Sequence, residues 1–500
     1  MKHKNIIKKT GLLILYSILT SLLFCGALYA EEEPAYKILT KHPESPDKLQ
    51  HEMFLKQPSC GGEKPNDKDS AFEAGGQNNK RPCPGDCKKE IIPLKVAVEI
   101  AMTSPRIKAV RAALKAARFQ TDAAKSKRLP TVDIYSDTGY QWADNLNSRN
   151  NAGLSYNSQR KTTDIRNGFQ IKLIQPLFDG YNAKYNIAAQ NNNVKAYEYE
   201  LMRIKEHIAL EATKSYISIV FANKFYTATT MLFLKYRELI GRALNLYKAG
   251  KIERVYFREI QELYNVVVEK EATLLLECNK ADAEFKSVVG VEPPKVSLFK
   301  EPEEPAACPK SKRGIYNLLL ANNPELLACK AYEKAAIQNV KAAQSSFMPN
   351  INLELSKTWF KNADGSETTE DNELALITLN YNLFNGGGDK ALKNKAKELK
   401  NKARYQKESL ISMIESKADL FFIKLLGASK KKKSLADLEE AQVKLIRSYQ
   451  EKDNFVDVMN SEGRALKTKI ELLKAQKEYL ITQYEILAES GGLVKFFNLN

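Results

Sequence analysis

Residues 104–130 recur at residues 323–349 without a gap, and this internal duplication constrains the fold more than any other feature of the chain. Each copy has the composition of an Ala- and Lys-rich helix, ends at a proline and continues into alternating apolar and polar residues. The duplication therefore predicts a fold built from two similar units, each repeating the plan of the other. The residues of the first copy that meet an identical residue 219 positions later are Pro105, Ala109, Ala112, Lys115, Ala116, Ala117, Ala123, Ala124, Ser126 and Pro130.

The first half combines helical and extended patterns. A helix is predicted over residues 94–127, because the chain then reaches Pro130, which cannot continue a helix. Strands are predicted over 131–142 and 169–177, where apolar and polar side chains alternate, with a loop at 144–164 between them. Each predicted strand therefore has one apolar and one polar face.

A very long helix follows. Residues 181–248 contain no proline and no glycine before Gly241, and a helix of this length would measure about 100 Å. A turn at Ala249-Gly250 predicts a reversal into a second helix that ends near Gly290. Apolar and small residues spaced alternately by four and three predict a close-packed heptad seam at Ile208, Ala212, Ser215, Ile219, Ala222 and Tyr226.

The second half repeats the plan. A helix is predicted to reach Met348-Pro349, and a strand with Ile351, Leu353 and Leu355 on one face follows it. After a loop at 361–371, the alternation predicts a returning strand over 373–383. A second very long helix is predicted to reach about residue 449, and a last one to end at Gly491-Gly492.

Charge and composition exclude several classes of protein. The formal net charge is +17, and loss of four lysines with a cleaved leader would leave +13. A basic chain raises nucleic acid as a partner, but the charges are spread along helical faces and no DNA-binding motif is present. Four histidines and no clustered catalytic set argue against an enzyme, and no cofactor is predicted.

The first thirty residues have the layout of a secretory signal peptide. Four lysines precede an apolar run over residues 12–28, and small residues offer cleavage after Ala27 or Ala30. An uncleaved membrane anchor is the alternative. No later segment is expected to approach the ~18 apolar residues that a spanning helix needs, so a membrane would have to be crossed by strands.

Six cysteines remain after the leader, an even number that permits disulfides in an oxidising compartment but leaves their pairing open. Cys60, Cys83 and Cys87 lie in the poorly ordered segment 31–92, where a metal site is a weaker alternative to structural or free thiols. Cys278 and Cys329 lie in helical patterns, which favours burial as small apolar side chains.

The number of predicted strands indicates that several chains assemble. Each half offers two segments of the length that crosses an outer membrane at a tilt. Four strands cannot close a barrel, and open strand edges are not tolerated in lipid. Several chains must therefore share one barrel, and three chains would supply twelve strands.

Three motifs accompany the Ala-rich helices before Pro130 and Pro349: the Phe178-Asp179-Gly180 and Phe384-Asn385-Gly386 turns, Tyr247-Lys248-Ala249-Gly250, and Phe455-Val456-Asp457-Val458-Met459. By these features, over about residues 93–492, the chain resembles the TolC-type outer-membrane efflux protein family. The resemblance implies an α+β membrane protein, namely a homotrimeric twelve-stranded β-barrel in the outer membrane, with four strands per chain, continued by a long α-helical barrel in the periplasm. The implied function is a passive exit duct for efflux or type I secretion. The implied partners are a periplasmic adaptor and an inner-membrane pump of the RND or ABC type.

The resulting domain prediction has six parts. They are a signal peptide (1–30), a Cys- and Pro-containing extension (31–92), a first repeat (93–290), a linker (291–312), a second repeat (313–492) and a C-terminal tail (493–500).

The resemblance also assigns candidate site residues. Asp457 falls where family members constrict the tunnel with inward carboxylates, and a solvated residue near a helix start is the alternative. Asn460 occupies the next acidic position of the family, and Asp453 stands where an arginine is frequent. Tyr256 is the comparable position in the first half. The predicted adaptor contacts are Ala249, Gly250 and Lys452, and the predicted aromatic girdle at the membrane surface is Tyr140, Trp142 and Trp359.

Three alternatives stay open at this point. A periplasmic coiled-coil adaptor would explain the helical hairpins but not the amphipathic strands. The Lys430–Lys433 run fits either adaptor docking or a solvated helix face. Gly386-Gly387-Gly388 lacks the Gly-Lys-Ser/Thr of a phosphate-binding loop and predicts a flexible strand-to-helix turn.

Overall fold

The computed structural model describes residues 93–499, apart from 147, 149–161, 295–298, 306–307, 310, 365–367 and 451–454. The signal-peptide and extension predictions, together with Cys60, Cys83 and Cys87, lie outside the described residues. The first half contains α1 (Leu94–Ala101), α2 (Pro105–Ser126), β1 (Thr131–Ala143), β2 (Thr162–Phe178), α3 (Asn182–Lys248) and α4 (Arg254–Val289).

The second half has the same order of elements. It contains α5 (Lys312–Asn322), α6 (Pro324–Ala342), a 3-10 turn (Ser345–Phe347), β3 (Asn350–Lys361), β4 (Thr369–Asn380), α7 (Gly388–Gln450) and α8 (Phe455–Glu489). A short helix, α9 (Leu493–Phe496), follows. The predicted combination of long helices with four strands is confirmed.

The single helix predicted over 94–127 is two helices, so that prediction was wrong. Ser104 has extended backbone angles (φ −58°, ψ 150°), and Pro105 begins α2 at its first position. The proline ring disfavours helical angles in the preceding residue, which is why the chain breaks there. The second half breaks in the same way, between α5 and α6, at Asn323-Pro324.

The four strands form one antiparallel meander in the order β1-β2-β3-β4. β2 is longer than predicted, and its pairing with β3 shifts at a bulge between Pro176 and Phe178. β4 ends at Asn380 and not at residue 383, because Asn380 pairs with Asn350, the first residue of β3. Pro349, the residue immediately before β3, has no N–H that could extend the hydrogen-bond ladder.

The register gives the sheet one apolar and one polar face. Cross-strand partners such as Val132 with Leu173 and Leu355 with Ala375 lie on the apolar face. The neighbouring rows place Lys172 beside Glu354, whose side chains form an ion pair at 3.1 Å on the polar face. The alternation predicted from the sequence is therefore confirmed near the helical end of the sheet, which is amphipathic there. Farther along β3 and β4 the same face also carries Lys357, which forms an ion pair with Glu373.

The long helices pack along one another. α3 has 67 residues, and the predicted heptad seam along it is buried apart from the half-buried Tyr226. α3 packs against α4 and α8, and the buried small residues of the seam, Ala212, Ser215 and Ala222, have the size that allows close approach of helices. Cys278 and Cys329 are half-buried beside apolar clusters, in agreement with their predicted role as small apolar residues.

Among the residues that the structure describes, α3 is one helix that is long and apolar enough to cross a membrane, with a mean hydropathy of 1.3 over 18 residues. The expectation that no later segment would approach this apolar length was therefore wrong. Apolar side chains of α3 such as Ile217, Phe221 and Phe225 are buried against neighbouring helices. Helix packing thus gives them a role that requires no lipid.

Buried hydroxyl and carboxyl groups fix two connecting segments to the long helices. Tyr216 and Tyr484 donate to the carbonyls of Lys300 and Glu303, at 2.7 Å and 2.8 Å, in the linker between the halves. Glu206 of α3, only 3% exposed, accepts the backbone N–H of Leu493 at 2.9 Å. The tail after residue 492 is therefore anchored through its backbone.

Candidate functional site at the distal ends of the long helices

The turn between α3 and α4 lies at the end of the helices farthest from the sheet. Gly250 adopts φ +71°, a left-handed conformation that costs glycine little. Its N–H donates to the Tyr247 carbonyl at 3.0 Å, and the next N–H donates to the Leu246 carbonyl at 2.9 Å. Ala249 and Gly250 are both exposed there. The third residue predicted to contact an adaptor, Lys452, lies outside the described residues.

An apolar cluster joins this hairpin to the first turns of α8. We call it the tip cluster, and its buried members are Leu232, Tyr236, Ala243, Phe257, Ile260, Val267, Val456 and Met459. They come from α3, α4 and α8, so burial of the cluster holds the hairpin of the first half against the last helix. The distal ends of the two halves therefore pack as one unit.

The structure brings the predicted gate residues of both halves to the same place. The backbone N–H of Val456 donates to the Tyr256 hydroxyl at 3.4 Å, which links α4 to the first turn of α8. Asp457 is the exposed acidic residue of that turn, and Asn460, half-buried, follows within the next turn. Asp453 lies outside the described residues. The assignment of these residues to a gate stays a prediction.

A partly buried polar network that the sequence did not predict lies one turn farther along α8. Tyr236, 1% exposed, donates its hydroxyl to the Met459 carbonyl, and Lys235 forms an ion pair with Glu462. Among the described residues, Glu462 Oε2 has no hydrogen-bond partner although it is buried. A lysine and a tyrosine side by side in a long helix gave no signal, because their partners lie more than 220 residues away.

Removing the Tyr236 hydroxyl is expected to loosen this end of the chain. Tyr236→Phe deletes a buried bond between α3 and α8, which should cost about 1–2 kcal/mol. Amide hydrogen exchange of residues 456–463 should become faster by the corresponding factor. Tyr264→Phe is the matched control, because Tyr264 packs its ring on Phe233 in the same region. Equal exchange in both variants would show that the Tyr236 bond contributes nothing.

The predicted girdle residues share one face of the sheet but lie at two levels along the strands. Tyr140 and Trp142 lie near the end of β1 remote from the helices, and both are about 70% exposed. Trp359 lies near the end of β3, level through Phe169 with Ser136 in the middle of β1, and its ring packs 5.4 Å from that of Phe169 on the same face. This placement suits aromatic side chains at a membrane surface, and the girdle itself remains a prediction.

Two other motifs have simpler structural roles. Lys431 pairs with Glu471 at 2.8 Å and Lys432 with Glu304 at 3.5 Å, so these two lysines of the run lie in ion pairs along α7. Gly386 and Gly387 have φ of +54° and +81° in the turn between β4 and α7. The turn requires left-handed backbone there, which explains the glycines without a phosphate. Among the described residues, no group of three or more His, Cys, Asp or Glu is placed to hold a metal ion.

The model of a family described as "Outer membrane efflux protein" matches residues 96–290 and 315–492. These two segments cover well over half of the chain and contain all four strands and the long helices. The chain belongs to the outer membrane efflux protein family. The resemblance found in the motifs is therefore confirmed.

Individual relatives agree with the family. The chain is 24% identical over 354 residues to "Outer membrane efflux protein BepC" of Brucella suis biovar 1 (strain 1330), covering 68% of this chain and 76% of the relative. The outer-membrane channel OprN has a TM-score of 0.67 at 18% identity, covering 80% of this chain and 90% of OprN. VceC from Vibrio cholerae has a TM-score of 0.65 at 13% identity, covering 80% and 96%. At these identities the solved structures establish the shared fold alone.

Membership of the outer membrane efflux protein family fixes the broad function. The protein is an outer-membrane efflux channel that extends into the periplasm, and transport is its process. This is a family of channels and not of enzymes. The predicted outer-membrane location is confirmed.

Proposed function

We propose that this protein is the exit duct of a tripartite export system, conducting substrates passively from an inner-membrane pump across the periplasm and the outer membrane. The observation that carries the proposal is the amphipathic sheet joined directly to helices about 100 Å long. The apolar face suits lipid, the polar face suits a water-filled lumen, and the helices are long enough to extend the lumen far from the membrane.

Three copies complete the duct. Within the described residues, β1 and β4 each pair on one side only, which leaves two strand edges per chain. Lipid cannot satisfy these backbone groups, so each edge needs a strand from another copy. Three chains give a closed barrel of twelve strands, with β1 of one copy beside β4 of the next.

The polar face then lines the lumen. Lys172 and Glu354 pair at 3.1 Å, and Arg166 and Asp137 pair at 3.0 Å across β1 and β2. Cross-strand ion pairs keep the charged side chains satisfied at the surface of a water-filled interior. No chemical step is needed, because a lumen of this kind transmits substrates unchanged.

The distal helical ends meet the partners. The exposed Ala249-Gly250 turn and the adjacent first turn of α8 form the surface for a periplasmic adaptor, which connects the duct to an RND or ABC pump. The rival function, a soluble periplasmic adaptor, does not account for twelve- to seventeen-residue strands with an exposed apolar face.

Asp457 is the proposed constriction residue at this end. In a threefold assembly, three exposed carboxylates would face one another near the axis, repelling one another and attracting cations. Asn460 contributes no charge one turn later, so the constriction depends on a single acidic ring.

Planar bilayer recording tests both the duct and its gate. Wild-type protein extracted from outer membranes as a heat-modifiable trimer is expected to form cation-selective channels. Asp457→Ala should raise the single-channel conductance or abolish block by added Mg²⁺. Asp437→Ala, an exposed acid on α7 about 20 Å from its distal end, is the control and should change neither value. If Asp457→Ala also leaves both values unchanged, Asp457 is not part of the gate. A wild-type protein that is monomeric and does not conduct would refute the duct.

A further inference from the structure

The internal duplication extends to the hydrogen-bond register of the sheet. Adding 219 to a residue of β1 and 206 to its partner on β2 reproduces the pairing of β3 with β4, so that Thr131 with Ile174 becomes Asn350 with Asn380. The relation holds for all twelve pairs of β3 with β4. The two offsets therefore convert positions of one half into equivalent positions of the other.

One strand pairing has no counterpart within the chain. β2 of the first half pairs with β3 of the second, whereas the equivalent strands, β4 and β1, are the unpaired edges. Applying the same offsets to the register of β2 with β3 places Leu379 opposite Ser136, because Leu173 lies opposite Leu355. The operation also keeps apolar-face residues opposite apolar-face residues, as a continuous sheet requires.

The turns that follow β2 and β4 show the same asymmetry. A Cβ at Gly180 would lie 2.8 Å from the Ser345 carbonyl oxygen and 2.9 Å from Met348 Cβ, so this turn is seated tightly against the residues before β3. The equivalent Gly386 meets nothing within 4 Å. Subtracting 219 from Ser345 and Met348 gives Ser126 and Leu129, and Leu129 is 60% exposed.

We propose that the edge of β4 pairs with β1 of a second copy in the register of β2 with β3, and that the turn at Gly386 seats against Ser126 and Leu129 of that copy. The inference rests on the proposed duct, since it needs an assembly of copies, and it adds the residue-level interface. The predicted opposite pairs are Leu379 with Ser136, Ile377 with Thr138, and Ala375 with Tyr140.

Cysteine cross-linking tests the register. Directly opposite residues have Cβ atoms about 4.5–5.5 Å apart and diagonal ones about 7–8 Å, and only the former approach the geometry of a disulfide. A chain carrying Leu379→Cys and Ser136→Cys should give covalent dimers and trimers on oxidation in outer membranes. The off-register pair Leu379→Cys with Thr138→Cys should give about fivefold less.

The wild-type chain and the single variants correct for the native cysteines. Preferential cross-linking of the off-register pair in an otherwise normal, conducting trimer would overturn the register but leave the duct intact. A wild-type protein that is monomeric and does not conduct would refute both. Ile377→Cys with Thr138→Cys, a second on-register pair, must behave like the first, which guards against local misfolding of one variant.

A pair of glycines tests the seated turn. Gly386 and Gly387 both have positive φ and open space around them in one chain, so alanine strains both positions similarly. Gly387 corresponds to Tyr181, which carries a side chain at φ +65°, whereas Gly386 corresponds to the tightly seated Gly180. Gly386→Ala should reduce the heat-resistant trimer about tenfold relative to Gly387→Ala. Equal trimer yields would overturn the proposed contact.

Discussion

Gly180→Ala is expected to destabilise the folded chain by about 2–5 kcal/mol. Left-handed backbone costs a residue with a Cβ about 1–2 kcal/mol, and overpacking adds about 1–3 kcal/mol. Both apply here, because Gly180 has φ +65° and its added Cβ would lie 2.8 Å from a backbone oxygen, which cannot rotate away. The turn joins β2 to the 67-residue α3, so the damage should spread to the sheet.

Gly250→Ala separates the two contributions. Gly250 has a similar φ, +71°, but an added Cβ would meet nothing within 4 Å. It should therefore show the backbone strain alone, about 1–2 kcal/mol. Urea denaturation in detergent, followed by circular dichroism, compares the two variants with the wild type. Equal losses of stability would mean that the contacts with Ser345 and Met348 do not constrain the turn.

The C-terminal segment is expected to detach more readily as the pH rises from 5 to 8. Burial raises the pKa of Glu206 to about 7, although the N–H groups of Leu493 and Val494 and the charges of Lys495 and Lys205 oppose the rise. Between about pH 4.5 and pH 7, the Glu206 carboxyl is deprotonated when the C-terminal segment is detached and protonated when the segment is docked. The docked state therefore binds more protons in this range, and its stability falls as the pH rises.

The size of the effect follows from the pKa difference. A rise of about 2.5 pKa units corresponds to about 3 kcal/mol, of which about 2–3 kcal/mol is lost between pH 5 and pH 8. Hydrogen exchange of residues 490–499, corrected for the intrinsic pH dependence, should show this loss in the wild type. Glu206→Gln removes the ionisation and should show a flat profile. Glu238→Gln, an exposed position on the same helix far from the C-terminal segment, should behave like the wild type, and a pH-independent wild type would contradict the prediction.

Both predictions concern contacts that join the two halves or the tail to the long helices. Gly180 belongs to the first half and touches the second, and Glu206 belongs to α3 and holds the segment after residue 492. Contacts of this kind decide how the halves are assembled, although each half contains the same succession of elements.

The element types were predictable because their periodicities are strong. The heptad spacing of Ile208 to Tyr226 identified the buried face of α3, and the alternation after Pro130 and Pro349 identified β1 and β3. Boundaries were less predictable where a proline or a pairing partner decided them. Pro105 divided a helix that composition alone would continue, and β4 ended where β3 had no further residue to pair with it.

At the distal site, the motif identified Asp457 and the turn at Gly250, and the structure placed Tyr256 against the start of α8. The bond from Tyr236 to the Met459 carbonyl had no signal in the sequence, because its two ends are 223 residues apart. Local patterns report burial and turns, but they do not report which distant backbone group a buried hydroxyl will meet.

The sequence by itself determined the two-part plan, the long helices, the amphipathic strands and the family, because the local spacing of residue types or the internal duplication predicts each of them. Only the tertiary structure decided that β2 pairs with β3 across the halves while β1 and β4 stay at the edges. It also decided that Glu206 holds the C-terminal segment and that the two distal ends share one apolar cluster. These features depend on packing and hydrogen bonds between residues far apart in the chain, whose free energy is gained only once the helices and strands have come together.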